Sequence, residues 1–342
     1  MRVIILPFLL FLLTIQGFAQ TTMLRVVAKQ GDGIYTLLRR HGLTPSHLQH
    51  FLELNKDNLG ENNSLYVGRT YVLPATTAIE ASTTAVSTSK PSEASSSRVK
   101  YVSLFGNKYE RVEVLDQKLK GAVYYLVGGH GGPDPGAVGK YGPYSLAEDE
   151  YAYDVTLRLA RRLMEHGATV YTIVQDKDDG IRDESILKMD RDEVNYNGQA
   201  ISLSQTQRLR QRVNSINSLY GKHKGAYQRM LSLHIDSRSE RKNIDVFFYH
   251  HENSADGQKL AESIHQTFNN KYNRHQPERS YTGTVSHRSS LYVVKYSHPP
   301  TVFIELGNIR NNLDQRRFVI PNNRQALANW ICEGIIRDYK NK

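Results

Sequence analysis

Three runs of apolar, largely β-branched residues each end in a histidine or a carboxylate, and that pattern limits the folds open to this chain. The first run, 123–127, leads into GGHGGPDPGA around His130. The second, 230–233, ends in SLHIDSR at His234, and the third, 302–304, ends in VFIELGNIRN at Glu305. Stretches with helical apolar spacing lie between them, such as Val155, Leu159 and Leu163 on one helix face. Short apolar strands alternating with amphipathic helices predict an α/β fold, a largely parallel twisted sheet with helices on both faces. In such sheets ligands sit outside the carboxyl ends of the strands, where all three polar residues fall.

Strands are expected over 123–127, 169–174, 229–234, 245–249, 291–295 and 301–306, and helices over 151–166, 204–220, 256–271 and 323–339. A hairpin with Gly106-Asn107 at its tip is expected over 100–114. Two histidines and a carboxylate delivered from strand ends are what an open catalytic zinc site needs: three protein ligands and one position for water. Glycines on both sides of His130 permit a sharp turn there. Strand alternation puts His234 on the face of Ser232, opposite Leu231 and Leu233. Glu305, at the end of an apolar strand, is costly unless it is paired, metal-bound or used in chemistry, and Arg310 and Arg212 are candidate partners. A further carboxylate ligand is expected just before the first helix, where Glu148, Asp149 and Glu150 stand in a row and spacing does not choose among them.

Residues 1–19 read as a secretory leader, with Arg2, an apolar core and Gly17-Phe18-Ala19 at the cleavage site; no integral membrane span is expected after cleavage. Cys332 is the single cysteine, so no disulfide forms within the chain, and it is expected to be a small buried hydrophobe. A net charge of +10 favours anionic partners. Export, and the lack of a Lys/Arg stripe interleaved with aromatics, argue against nucleic acid. Residues 24–74 read as a small βααβ unit, 75–98 as a Ser/Thr/Ala-rich disordered tether, and 99–342 as the domain that carries the chemistry. The acidic stretch 176–198 lacks the spacing of an EF-hand loop and is expected to be a surface loop bordering the site.

Residues 24–74 resemble a LysM module, through Val26-Val27, Lys29-Gln30-Gly31-Asp32, Ile34, Leu37, Leu48, Leu54-Asn55, Leu65, Val67-Gly68 and Val72-Leu73-Pro74. The resemblance implies binding of N-acetylglucosamine-containing glycans, with Gly31, Asp32, Gly33 and Asn55 as contacts. Gly33 stands where that family usually has threonine. Residues 124–339 resemble the catalytic domain of zinc-dependent N-acetylmuramoyl-L-alanine amidases of the Amidase_3 type. The residues that carry this likeness are Gly129-His130-Gly131-Gly132-Pro133-Asp134-Pro135-Gly136-Ala137, Ser232-Leu233-His234 and Glu305-Leu306-Gly307-Asn308-Ile309-Arg310-Asn311.

That resemblance implies hydrolysis of the amide between N-acetylmuramic acid and L-alanine in bacterial peptidoglycan. It implies one zinc per chain held by His130, Glu148 and His234, with Glu305 as catalytic acid and base. Aligning Leu157-Arg158-Leu159-Ala160 with the family's helix selects Glu148, with Glu150 as the alternative. Arg212 and Asn217 take structural places in the next helix. Asn308, Arg310 and Asn311 are implied to line the substrate groove, Asn308 and Arg310 replacing the usual phenylalanine and serine. The location implied is the periplasm or cell envelope, or outside the cell, and an activator protein is left open. After Asp236 the chain has no room for the helical plug that keeps some members inactive. A zinc peptidase acting on another cell-wall amide would use the same four residues, and an inactive binding or activator protein would keep the same fold.

Overall fold

The computed structural model describes residues 24–29, 32–43, 47–60, 65–74 and 99–342. The expected leader (1–19), the expected tether (75–98) and Gly31 lie outside the described residues. The described chain falls into two units, one within 1–90 and one within 91–342.

In the first unit β1 (Arg25–Val27) is followed by α1 (Ile34–Arg40), α2 (Leu48–Asn55) and β2 (Thr70–Val72). The two strands pair antiparallel, with Val26 opposite Tyr71. Leu37, Leu38, Phe51, Tyr71 and Leu73 fill the space between strands and helices. Asn55 is buried, and its amide donates to the carbonyls of Phe51 and Val72 while accepting from the Val72 N–H. Those bonds tie α2 to β2 and commit the amide to the fold. The Asp32 carboxylate accepts from the Lys29 N–H at 2.7 Å and pairs with Arg40, and Gly33 is exposed.

The second unit opens with β3 (Val99–Tyr101) and β4 (Arg111–Glu113), an antiparallel pair. Nine residues join them, with a 3-10 turn at Ser103–Phe105 that buries Phe105, so the connection is longer than the expected two-residue tip. Next come β5 (Ala122–Gly128), a hairpin of β6 (Val138–Tyr141) and β7 (Tyr144–Ala147), α3 (Glu148–Glu165) and β8 (Thr169–Thr172). Around the acidic stretch, β9 (Val174–Gln175), β10 (Val194–Asn195) and β11 (Gln199–Ala200) form a small antiparallel sheet. The rest is α4 (Gln205–Lys222), β12 (Tyr227–Asp236), β13 (Phe247–His250), α5 (Ala255–His275), β14 (Val285–His287), α6 (Tyr292–Tyr296), β15 (Thr301–Asn308), α7 (Asn312–Val319) and α8 (Pro321–Lys340).

The central sheet has the order β14-β13-β15-β12-β5-β8. The neighbours β8, β5, β12 and β15 run parallel, and β13 enters antiparallel to β15. All seven residues of β5 are buried, as a strand covered on both faces requires. Tyr124, Leu126, Leu231, Leu233, Val302 and Ile304 pack beneath α3, α5 and α8. Val123, Tyr125, Val127, Met230 and Phe303 face α4 and α6. Cys332 is buried in α8, where burial pushes its thiol up to about 12. Among the described residues no helix is long and apolar enough to cross a membrane.

Two expectations about elements are corrected. Residues 291–295 do not form a strand; α6 stands there, with Val293 and Val294 buried against α4 and the sheet, and Tyr292 and Tyr296 in contact four residues apart. Tertiary packing overrides the β propensity of Tyr-Val-Val. The acidic stretch is more than a surface loop, because Ile181 and Leu187 belong to the main core cluster.

The fully buried Arg324 of α8 donates from Nε to Asp154 Oδ2 at 2.6 Å, and Arg158 Nε donates to the same oxygen at 2.7 Å. Both guanidiniums also reach the Arg182 carbonyl, and Asp154 Oδ1 accepts from the Arg182 N–H. One carboxylate therefore joins α3, α8 and the acidic stretch. Removing it leaves Arg324 buried without its carboxylate and Arg158 with only the longer Asp183 contact at 3.5 Å, so Asp154→Ala should destabilise this unit by about 3–5 kcal/mol. Chemical denaturation checks this, and a loss below about 1 kcal/mol, the range of exposed pairs, would show that the arginines find other partners.

Candidate active site

Strand alternation sets the face of each residue. His234 on β12 and Glu305 on β15 are register partners across a parallel pair, so both point to the α4 side, with Ser232 and Phe303. The Phe303 ring stacks on the His234 imidazole at 4.1 Å, fixing the plane of the ring. His130 lies just past the end of β5 in the left-handed region, with φ of 61°. A non-glycine residue holds that conformation only when its surroundings impose it. Here Arg212 Nη2 donates to the His130 carbonyl, and the Gly131 N–H donates to the Asp134 carbonyl to close the loop. Burial and the nearby Arg208 bring the Arg212 guanidinium down to about 10. Arg212 is thus occupied with the His130 backbone and is not a partner for Glu305.

Glu148 is the first residue of α3 and only 4% exposed. Its Oε1 lies 3.3 Å from His130 Nε2 and 3.0 Å from His234 Nδ1, and accepts from the Ile235 N–H. Its Oε2 accepts from the Ala137 N–H at 2.9 Å. The structure thus brings His130, Glu148 and His234 together, with one potential ligand atom from each lying within 4.8 Å of the others. It does not bring Glu150, whose carboxylate faces Arg182 at 2.9 Å and the Asp190 N–H at 3.0 Å. The outer nitrogens of the histidines are occupied: His130 Nδ1 lies 2.9 Å from Asp134 Oδ2, and His234 Nε2 lies 3.1 Å from Ser232 Oγ. Arg208 in turn holds Asp134 at 2.6 Å. Asp134, Ser232 and Arg208 escaped the reading of the sequence as orienting groups, although Asp134 and Ser232 stand inside the two histidine motifs.

The electrostatics follow from these contacts. Burial drives the His130 imidazole down, yet its bonds to Asp134 and Glu148 hold it up at about 10. Burial wins at His234, which falls below the ordinary histidine value despite Glu148. Glu148 stays well below the usual carboxylate range, since both histidines outweigh its own burial. Glu305 moves the other way, pushed far up by burial, then by Glu148 and Asp236, and its Oε2 is buried with no hydrogen-bond partner. Positive charge stands nearby on Arg288, over the Tyr249 ring at 5.0 Å, and on Arg238, paired with Asp236 at 2.5 Å. A carboxyl of raised affinity for protons, close to a His-His-Glu set, can take up and deliver a proton.

The residues expected to line a substrate groove divide. Asn308 is fully buried, donating to the Ser239 and Lys242 carbonyls and accepting from the Arg238 and Arg310 N–H groups. Asn311 caps α7 by accepting from the Leu313 and Asp314 N–H groups and donates to the Glu240 carbonyl. Both amides serve the 237–243 segment and the α7 start. Arg310 is exposed, and Asp314 pairs with Arg317 at 3.3 Å. Asn217 binds the Tyr296 carbonyl and the His298 N–H, a structural role as expected. Residues 237–246 hold turns and extended chain but no helix.

Residues 125–337 match the N-acetylmuramoyl-L-alanine amidase family, Amidase_3. The chain is 25% identical over 224 residues to the germination-specific N-acetylmuramoyl-L-alanine amidase of Bacillus subtilis (strain 168), covering 66% of this chain and 82% of that protein. It is similar to the CwlD amidase of Clostridioides difficile, solved in complex with the GerS lipoprotein, at 20% identity and a TM-score of 0.48, over 64% of this chain and 99% of that one. It is also similar to the N-acetylmuramoyl-L-alanine amidase AmiC2 of Nostoc punctiforme, at 20% identity and a TM-score of 0.46, over 65% and 98% of the two chains.

Gly129 makes this crowding possible, because a Cβ there would lie 2.4 Å from His234 Nδ1. Gly129→Ala should displace the His234 ring and move its NMR signals while leaving far-UV circular dichroism unchanged. Unmoved ring signals would mean that the loop, and not the histidine, gives way.

Proposed function

The chain belongs to the N-acetylmuramoyl-L-alanine amidase family, and from that premise we propose that it is a zinc-dependent amidase of bacterial peptidoglycan. Its reaction is hydrolysis of the amide between the lactyl group of N-acetylmuramic acid and the L-alanine of the stem peptide. The observation that carries the reading is the Glu148 carboxylate, on which the inner nitrogens of His130 and His234 converge. Two histidines and one carboxylate are the donor set of an open catalytic zinc site. A carboxylate behind His130 and a hydroxyl behind His234 are the outer partners that hold ligand imidazoles in one tautomer. The residues present therefore fit one zinc per chain, with Glu148 in preference to Glu150.

Zinc in such a site supplies Lewis acidity, polarising the amide carbonyl and lowering the pKa of water. Glu305 does the proton work. Its carboxylate accepts a proton from the attacking water and hands it to the departing amine of L-alanine. Burial raises the proton affinity of Glu305, which suits delivery of the proton to the amine. Arg310, exposed beyond the end of β15, is our candidate for a stem-peptide carboxylate, to which a planar guanidinium fork is matched.

Residues 24–74 take the role of a glycan-binding LysM module, presented through the Asp32-Gly33 turn, with 75–98 as its tether. Residues 1–19 direct export to the cell envelope.

Three outcomes are expected. His130→Ala and His234→Ala should each lose zinc, measured by elemental analysis, and lose activity with it; full zinc occupancy in both would remove them as ligands. Glu305→Gln should keep zinc while turnover on a defined muropeptide falls by about a hundredfold or more. Near-normal turnover in that variant would sink the assignment, and mass spectrometry of the products separates amidase from peptidase cleavage. Deleting residues 20–98 should weaken action on insoluble cell wall but spare small soluble fragments, because a tethered binding module supplies proximity alone.

A further inference from the structure

Next to the histidine site lies a second group of carboxylates that the reaction does not use. Asp149 and Glu150 open α3, Glu193 comes from the acidic stretch just before β10, and oxygens of all three lie within 4.8 Å of one another. Unlike an exposed acidic patch, this trio is shut away from solvent: Asp149 and Glu150 are 1% exposed and Glu193 is 4% exposed. Most of its oxygens are accounted for. Glu150 takes Arg182 and the Asp190 N–H, Glu193 Oε2 takes the Gly132 N–H at 2.6 Å, and Asp149 Oδ1 takes the Glu150 N–H at 2.9 Å. Asp149 Oδ2 is buried and has no donor at all.

A second buried oxygen without a donor, Asp190 Oδ1, stands in the adjoining group formed by Asp190, Asp192 and Glu193. Arg182 is the cation bonded to the trio, and it divides itself between Glu150 and Asp179. Arg212 lies close enough to act on Glu193, and His130 on Asp149, but neither bonds to the trio, and Asp149 Oδ2 stays enclosed without a donor.

We propose that Asp149, Glu150 and Glu193 hold a calcium-like divalent cation, distinct from the His130–Glu148–His234 site. Donors that are all carboxylate oxygens select hard cations over zinc. Calcium bonds oxygen at about 2.3–2.6 Å, so the ligands of one ion lie no more than about 5 Å apart, a limit that the trio, within 4.8 Å, satisfies. Two ligands follow Glu148 directly in sequence, and the third holds the N–H of Gly132, two residues past His130. The ion thereby fastens the acidic stretch to the loop and the helix start that carry two members of the histidine site. This inference does not depend on the amidase reading.

The test uses the full chain loaded with one zinc, titrated with calcium by calorimetry and with terbium by luminescence. The expected result is one further ion per chain and a melting temperature that rises with calcium. Asp149→Asn should weaken that binding by about tenfold or more, by removing one ligand charge, while zinc content stays at one per chain. Glu193→Gln, which can still accept from Gly132, should weaken it likewise and serves if Asp149→Asn does not fold. The proposal is overturned if the zinc-loaded chain takes up no calcium at millimolar concentration, if both variants bind as tightly as the parent, or if binding is abolished by Asp178→Asn or Asp192→Asn but not by Asp149→Asn. It is equally overturned if His130→Ala abolishes calcium binding, which would place the ion at the histidines.

Discussion

Everything at the centre of this fold depends on where one carboxylate is held. Glu148 meets the loop after β5 through the Ala137 N–H and His130, and the end of β12 through His234 and the Ile235 N–H. It is also the first residue of α3, where the positive end of the helix favours an anion. A carboxylate this buried is tolerated because its oxygens are met by donors on several sides. Two strand ends and a helix start are thus brought to one point by a single side chain, and the geometry of the histidines follows from it.

The two histidines around that carboxylate are not equivalent. His130 sits on a loop, meets the His234 ring edge to face at 5.2 Å, and is controlled mainly by polar contacts: Asp134 behind it, Arg208 behind Asp134, and Arg212 on its carbonyl. His234 sits on a strand and is controlled by packing, with Phe303 flat against the ring. Their proton affinities move in opposite directions for that reason. A site supported both by hydrogen bonds and by ring stacking holds its shape against more than one kind of disturbance.

Much of this was legible in the residue order, because it rests on periodicity. The apolar runs before His130, His234 and Glu305 named the central strands, and alternation placed His234 and Glu305 on one face, as their register shows. Residues 291–295 misled because Tyr-Val-Val favours strands locally, whereas burial against α4 decides for a helix. The packing duties of Asn308 and Asn311 were not legible, because residue order alone does not show that their amides reach the backbone of 237–243 and α7. The choice of Glu148 over its two acidic neighbours came from helix alignment, and the side chains agree for a physical reason. Around the helix, successive residues point about 100° apart, so only one of the three can face the histidines.

The pairing of His234 with Glu305 across β12 and β15 has a bearing on how such a chain can change over time. Side chains alternate along a strand with a period of two, so the gain or loss of a single residue upstream in β15 would turn Glu305 toward the apolar layer beneath α3, α5 and α8. Leu306 or Ile304 would then occupy its place beside the histidines. Length variation between relatives should therefore gather in the connections, as with the long acidic stretch between β9 and β10, and be absent from the strands that carry the chemistry.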